Sequence, residues 1–352
     1  MEPAIRSRFS DLPLEIALNI LNYAVEPTFS QEEKYDDQNP YATALSLCLV
    51  SRLVRRITPP KLLHTISLRR SDSVRMFANA LLMQKAYAEE KSDLFFDYTS
   101  VVQKMWIGAS AESEIFVYDL APEISVLVPV LLAAPALAID CYYLKLVVQS
   151  VEDASSSRAD PNVDHGPSPF PGKTQSLTIM GHTTSHMIFQ NIRKGSIFLA
   201  SIPHLIYLID LPMDSDIFRD ISRGLKLTSF LLRPWLCDIP WTCMKSLETF
   251  SVVYPHLAEP YKIRSYIDHT RGVDLHVERL TVSAPLYKQD PESFPWMEPP
   301  FPVTHPGQKR IHSDGISVEV TNCREHFWRF HYTWDKLWAC GITDGAGGQR
   351  VL

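Results

Sequence analysis

One short pattern recurs along this chain: an apolar residue, two others, an apolar residue, one other and a third apolar residue. It occurs at Leu63/Ile66/Leu68, Val102/Met105/Ile107, Ala134/Leu137/Ile139, Thr174/Leu177/Ile179, Leu205/Leu208/Asp210, Leu227/Phe230/Leu232, Leu247/Phe250/Val252 and Val277/Leu280/Val282, with Thr174 and Asp210 standing in apolar slots. Alternation at the end of each triplet predicts a short strand with its apolar side inward, because successive side chains on a strand point to opposite faces. Helix-like segments fall between several triplets, at 71–88, 122–134, 214–225 and 259–272. Ser71 or Asp72 can cap the first, and Gly224 and Gly272 stand where helix stops are expected. The expected fold class is therefore α/β.

Strand, loop, helix and strand at intervals of roughly 20 to 40 residues are the signature of an irregular leucine-rich-repeat-like solenoid. An ordinary α/β domain is the alternative. If the repeats stack, their strands form one sheet, and Ser67, Trp106, Thr178, Ile209, Leu231, Ser251 and Thr281 are expected on its outward face as a recognition surface. Three segments break the pattern. Residues 152–173 are Ser/Pro-rich and read as a disordered insert whose shortening leaves the fold intact. Residues 284–310 are dense in proline, with Phe294, Trp296 and Phe301 packing on a neighbouring surface. The stretch EHFWRFHYTWDKLWACGI reads as a half-buried strand that closes the end of the solenoid.

The N-terminal region is of another kind. Asp11 can cap a helix with Pro13 in its first turn, and the helix should fade near Glu26 and Pro27. Glu15, Asn19 and Asn22 make one narrow polar stripe on it, while Leu12, Ile16 and Ile20 form one apolar row and Leu14, Leu18 and Leu21 another. One apolar side can face its own domain. The other needs a partner, because folded proteins seldom leave a large contiguous apolar patch bare. After the acidic spacer 28–40, a second helix is expected from Ala42 to Thr58, ended by Pro59 and Pro60.

The hydrophobic fraction of 45% and charged fraction of 21% over 352 residues suit a folded chain with a sizeable core. A net charge of −6 disfavours a general attraction to nucleic acid or to anionic membrane. Six cysteines without CxxC pairing point to reduced thiols in the cytoplasm and/or nucleus. The start, MEPAIRSRFSD, has no apolar core of signal-peptide length. The run VLVPVLLAAPALAI (126–139) falls short of the ~18 residues a membrane span requires and reads as buried core.

LPLEIALNILNYA followed by LSLCLVSRLVRRI resembles an F-box, over roughly residues 9–60. Leu12, Pro13, Glu15, Ile16, Ile20 and Leu21 match the family's first helix, and Leu47, Leu49, Val50, Ser51 and Arg52 match its LVSR-type element. The spacer is longer than usual for the family, and Val54 stands where a tryptophan often follows. The resemblance implies that these residues dock the Skp-type adaptor of a cullin–RING ubiquitin ligase, and that the repeats recruit an unknown protein substrate. The expected organisation is an F-box-like helical domain (9–60), a leucine-rich-repeat-like domain (61–285) with its insert near 152–173, a Pro/aromatic-rich region (286–340) and a flexible tail (341–352). A non-enzymatic scaffold with a degenerate F-box, acting outside ubiquitination, is the alternative.

No enzymatic constellation stands out, and none of the phosphate-loop, nucleophile-elbow or zinc-helix motifs is present. His182 and His186 share a helical spacing, but Gly181 and the adjoining threonines point to a loop without a third ligand. His326 and His331 read as polar members of an aromatic strand, and Cys237 and Cys243, flanking Trp241, as core or half-buried thiols rather than a disulfide. The expectation is a chain with no catalytic residues, cofactor or metal.

Overall fold

The structure is a computed structural model that describes residues 12–27, 29, 39–50, 52–108, 118–156, 172–182, 196–210, 243–257, 273–283, 309–311, 317–327 and 338–339. The expected triplet at 227–232, the helix-like segments 214–225 and 259–272, Gly224, Gly272 and the Pro-rich stretch up to residue 308 lie outside them.

Four helices come first: α1 (Leu14–Ala24), α2 (Ala42–Cys48), α3 (Arg52–Ile57) and α4 (Pro59–Leu62). The single helix expected over Ala42–Thr58 is thus two, with a turn at Leu49 and Val50. Pro59 and Pro60 begin a helix rather than only ending one, since the amides they lack would have no partner in a first turn. Pro13 occupies the cap position of α1, and Asp11 lies outside the described residues.

Thereafter strands and helices alternate: β1 (Thr65–Leu68), α5 (Ser71–Glu89), β2 (Lys104–Ile107), α6 (Ala121–Ala133), β3 (Ala136–Asp140), α7 (Cys141–Ser156), β4 (Ser176–His182), α8 (Ile197–Ala200), β5 (His204–Asp210) and β6 (Thr249–Leu257). Strands β1 to β6 lie side by side in chain order, and every neighbouring pair is parallel. The sheet continues through β7 (Val273–Ser283), β9 (Ser317–Phe327) and β8 (Lys309–Ile311), all paired antiparallel. The 277–282 triplet therefore lies on a strand as expected, but one running against β6. Strand β7 belongs to the 61–285 stretch and β9 to the 286–340 stretch, so one sheet runs through both.

Registration lines the apolar slots into two continuous rows. Ile66, Met105, Leu137, Leu177, Leu205 and Phe250 form one; Leu68, Ile107, Ile139, Ile179, Tyr207 and Val252 form the other, all buried. Helices α5, α6, α7 and α8 pack each on the next and form a layer against these rows, contributing Val74, Ala78, Ile124, Leu127, Leu144, Val147, Phe198 and Leu199 to the core. The run at 126–139 supplies both a helix and a strand of this core. Among the described residues no helix is long and apolar enough to cross a membrane. Thr174 fits its apolar slot because its hydroxyl lies within 3.5 Å of the carbonyls of Leu131 and Leu132 in the last turn of α6.

Three local expectations are corrected. On β5 the triplet is Ile202/Leu205/Tyr207, not Leu205/Leu208/Asp210: Leu205 and Leu208 are three apart within one strand and so point to opposite faces. Helix α7 was not foreseen, and it occupies 152–156, the first part of the expected insert. The insert's middle, 157–171, lies outside the described residues, while Lys173 donates to the Leu132 carbonyl at 2.7 Å. Helix α5 is opened not by Ser71 or Asp72 but by Ser73, whose hydroxyl accepts from the Arg70 amide at 3.1 Å.

The end of α5 yields a stability prediction. Lys91 has a φ of 53°. It lies just past the helix, where its amide donates to Ala88 and the Ser92 amide reaches back to Tyr87. A side chain strains this left-handed conformation, so Lys91→Gly should raise stability by about 1 kcal/mol in a denaturant titration.

Candidate interaction surfaces

Helix α1 divides as its sequence suggests. Leu12, Ile16 and Ile20 are 38%, 46% and 46% exposed, and Tyr23 continues the row at 79%. On the other side Leu18 and Leu21 are half-buried, and Val25 closes the helix fully buried. Pro13 and the polar stripe of Glu15, Asn19 and Asn22 face solvent. The second element repeats the arrangement on a smaller scale. Ala44 is buried and Leu47 half-buried, while Leu45, Leu49 and Val50 are 46%, 79% and 69% exposed. Ser51 lies outside the described residues, and Arg52 is the first residue of α3. Val54, at the position where the F-box-like pattern often has a tryptophan, is buried. Arg55 donates from Nε to the Cys48 carbonyl at 3.2 Å, an interaction with the end of α2 that needs no outside ligand.

Tyr41 ties this helical module to the sheet. Its hydroxyl donates to the Thr65 carbonyl and accepts from the Ser67 amide, both at 2.9 Å. It thereby takes the place that another strand's backbone would hold at the edge of β1, and such covered edges resist unwanted pairing. The Phe29 ring meets Tyr41 edge-on at 6.0 Å.

Next to this junction is His64, whose Nδ1 lies 3.2 Å from Thr65 Oγ1. Desolvation, with the Lys104 and Lys61 ammonium groups adding to it and Glu26 opposing, holds the imidazole below its ordinary value of 6.5. The folded state therefore favours the neutral ring. Stability is lost as pH falls from 6.5 through the lower folded value, because the unfolded chain takes up the proton first. The ring is partly open to solvent, so the loss is small. His64→Gln should flatten this part of a stability-against-pH curve measured between pH 7 and pH 5.

The sheet face opposite the helix layer carries a row of Ser67, Trp106, Ala138, Thr178, Ile206, Ser251 and Thr281. Five of the positions expected to be outward are in register here. Ile209 is not: it pairs with Gly181, and Ile206 takes its place. Leu231 lies outside the described residues. The expectation of an open surface is overturned, because Trp106, Ala138, Thr178, Ile206 and Ser251 are all buried. Part of the cover is Trp338, itself 1% exposed, whose ring centre lies 5.7 Å from that of Trp106. Lys104 Nζ stands 5.8 Å from the centre of the same ring. Trp338 thus lies over the face at β2, while Glu325–Phe327 end β9, which pairs with β8, the last strand of the sheet, and residues 328–337 of the expected closing stretch lie outside the described residues. Strand β9 starts at Ser317, ahead of the expected aromatic strand, and covers only its first residues. The sequence does carry a signal for this second buried face: MWI, ALAI, LIYLI and FSVV are near-continuous apolar runs, as strands covered on both sides should be.

Gly181 and His182 belong to strand β4 rather than to a loop, and His326 lies on β9; His186, His331, Trp241 and Cys237 are outside the described residues. Among the described residues no three His, Cys, Asp or Glu side chains group as metal ligands, and Cys48, Cys141 and Cys243 take no part in a disulfide. Compared with protein-family models, with curated proteins and with solved structures, the chain gives no match.

Proposed function

We propose that this chain is a substrate-recruiting subunit of a Skp–cullin–F-box-type ubiquitin ligase, with its F-box-like helices docking the Skp-type adaptor and its repeat-like α/β part binding the target. The observation that carries the reading is the set of exposed aliphatic side chains on and beside α1 and α2: Leu12 just before α1, Ile16 and Ile20 on it, Leu45 on α2, and Leu49 and Val50 in the turn that follows. Burying each such side chain against a partner contributes ~1.5–3 kcal/mol, and an apolar surface of this kind marks an interaction site. All of these but Leu45 are residues of the F-box-like motif. The order of the parallel strands, with a helix layer on one face, is compatible with stacked strand–helix repeats. In this role the chain supplies binding surfaces and no catalytic group.

The test is assembly. The full chain, coexpressed with a Skp-type adaptor and a cullin, should copurify with both, the cullin only when the adaptor is present. Cullin capture without the adaptor, or no capture of either, would refute the role.

A further inference from the structure

We propose that the solvent side of α5, with the segment that returns along it, is a docking surface for a basic amphipathic helix of a partner protein. Met76, Ala80, Met83 and Tyr87 stand at i, i+4, i+7 and i+11 and so make one stripe along the helix. Ala80 and Tyr87 are half-buried, whereas Met76 and Met83 are 68% and 54% exposed. Past the helix the chain doubles back beside this stripe. The Ser92 amide donates to the Tyr87 carbonyl at 2.9 Å, the Phe96 amide to the Gln84 side chain at 2.6 Å, and the Tyr98 ring meets Phe77 edge-on at 5.4 Å. Between the first two anchors Leu94 and Phe95 are 56% and 48% exposed. Their exposure is not that of a frayed end, since the backbone on both sides of them is hydrogen-bonded to α5. Two adaptable methionines beside an anchored leucine and phenylalanine make the kind of apolar surface that receives the apolar side of a helix.

The charges select the kind of helix. From Ala86 to Tyr98 the chain carries four carboxylates, Glu89, Glu90, Asp93 and Asp97, against one ammonium, that of Lys91. Asp97 serves locally, accepting from the Thr99 amide at 3.0 Å. Glu89 and Glu90 serve α5 badly: they stand at its C-terminal end, where the helix already carries partial negative charge, and its last turn has no basic residue to offset them. Glu90 lies seven residues past Met83 and so continues the same side of the helix. Lysines or arginines at one end of a docked helix offset this negative charge while its aliphatic side meets the methionines. An acidic helix gains the apolar contacts and meets repulsion at that end. In the ligase role proposed above the partner is the target, and that identification alone rests on the role.

The test uses the full chain with isotope-labelled methionine methyl groups and two synthetic helical peptides, one of leucine and lysine at amphipathic spacing and one with every lysine replaced by glutamate. The leucine–lysine peptide should bind saturably and shift the methyl signals of Met76 and Met83, each assigned by its Met→Leu variant, while those of the buried Met105 and Met244 stay in place. Met83→Gln with Phe95→Ser should weaken binding at least about 10-fold at an unchanged melting temperature, because both side chains are exposed. Glu89→Lys with Glu90→Lys should weaken it and reduce its dependence on salt. No binding, equal binding of the two peptides, or binding that leaves Met76 and Met83 unmoved would overturn the proposal. A concentration-dependent dimer of the wild-type chain that Met83→Gln with Phe95→Ser abolishes would assign the surface to a second copy instead. Leu12→Asp with Ile16→Ala should leave peptide binding unchanged, so failure of this surface and failure of adaptor docking are read separately.

Discussion

Thr178→Lys should destabilise the chain by about 3 kcal/mol or more, because it takes an ammonium group out of water into a fully buried position. The position is 1% exposed, in the middle of the sheet, between Ala138 and Ile206. Marginal stabilities of ~5–15 kcal/mol make such a loss visible as a large drop in denaturation midpoint. Thr178→Val should move the other way, raising stability by about 1 kcal/mol, since it keeps the shape and removes a buried hydroxyl that has no partner among the described residues. Guanidinium titrations of the two variants check the pair of signs. A lysine at 178 tolerated within ~0.5 kcal/mol, as at an ordinary surface site, would mean that this face is open.

The second large effect is on binding and leaves folding almost untouched. Leu12→Asp with Ile16→Ala should abolish capture of the Skp-type adaptor. Two aliphatic contacts worth ~1.5–3 kcal/mol each are lost, and a charge enters an apolar interface. Both side chains are already exposed in the free chain, so the melting temperature should change little. Retained capture at wild-type yield would show that this row is not the docking surface. A collapse in melting temperature would show that it packs within the fold.

Much of the architecture was legible because apolar spacing and strand geometry share one physical cause. Met105/Ile107, Leu137/Ile139 and Phe250/Val252 were placed on the correct face from alternation alone, and the register then aligned them. Where apolar residues crowd together, spacing alone does not fix the phase of a strand. The segment IPHLIYLID offers apolar residues at nearly every position, so a triplet three residues out of phase looked equally good. Helix α7 escaped because CYYLKLVVQSVEDASS opens with an unbroken apolar run and ends in residues that resemble a loop. The cover on the Trp106 face was hidden for another reason. Trp338 reaches β2 from the far end of the chain, and no local period records so distant a contact. On α1 the two-sided apolar pattern did translate into exposure: Leu12, Ile16 and Ile20 stay open on one side while Leu18 and Leu21 are half-buried on the other.

The central claim, that α1 and α2 form a docking surface for a Skp-type adaptor, is tested most directly by titrating the purified full chain with purified adaptor in a calorimeter. The account predicts a one-to-one complex, a negative heat-capacity change from buried apolar surface, and no heat from the Leu12→Asp/Ile16→Ala chain. No heat from the wild-type chain across temperature, or an identical isotherm from the double variant, would contradict it.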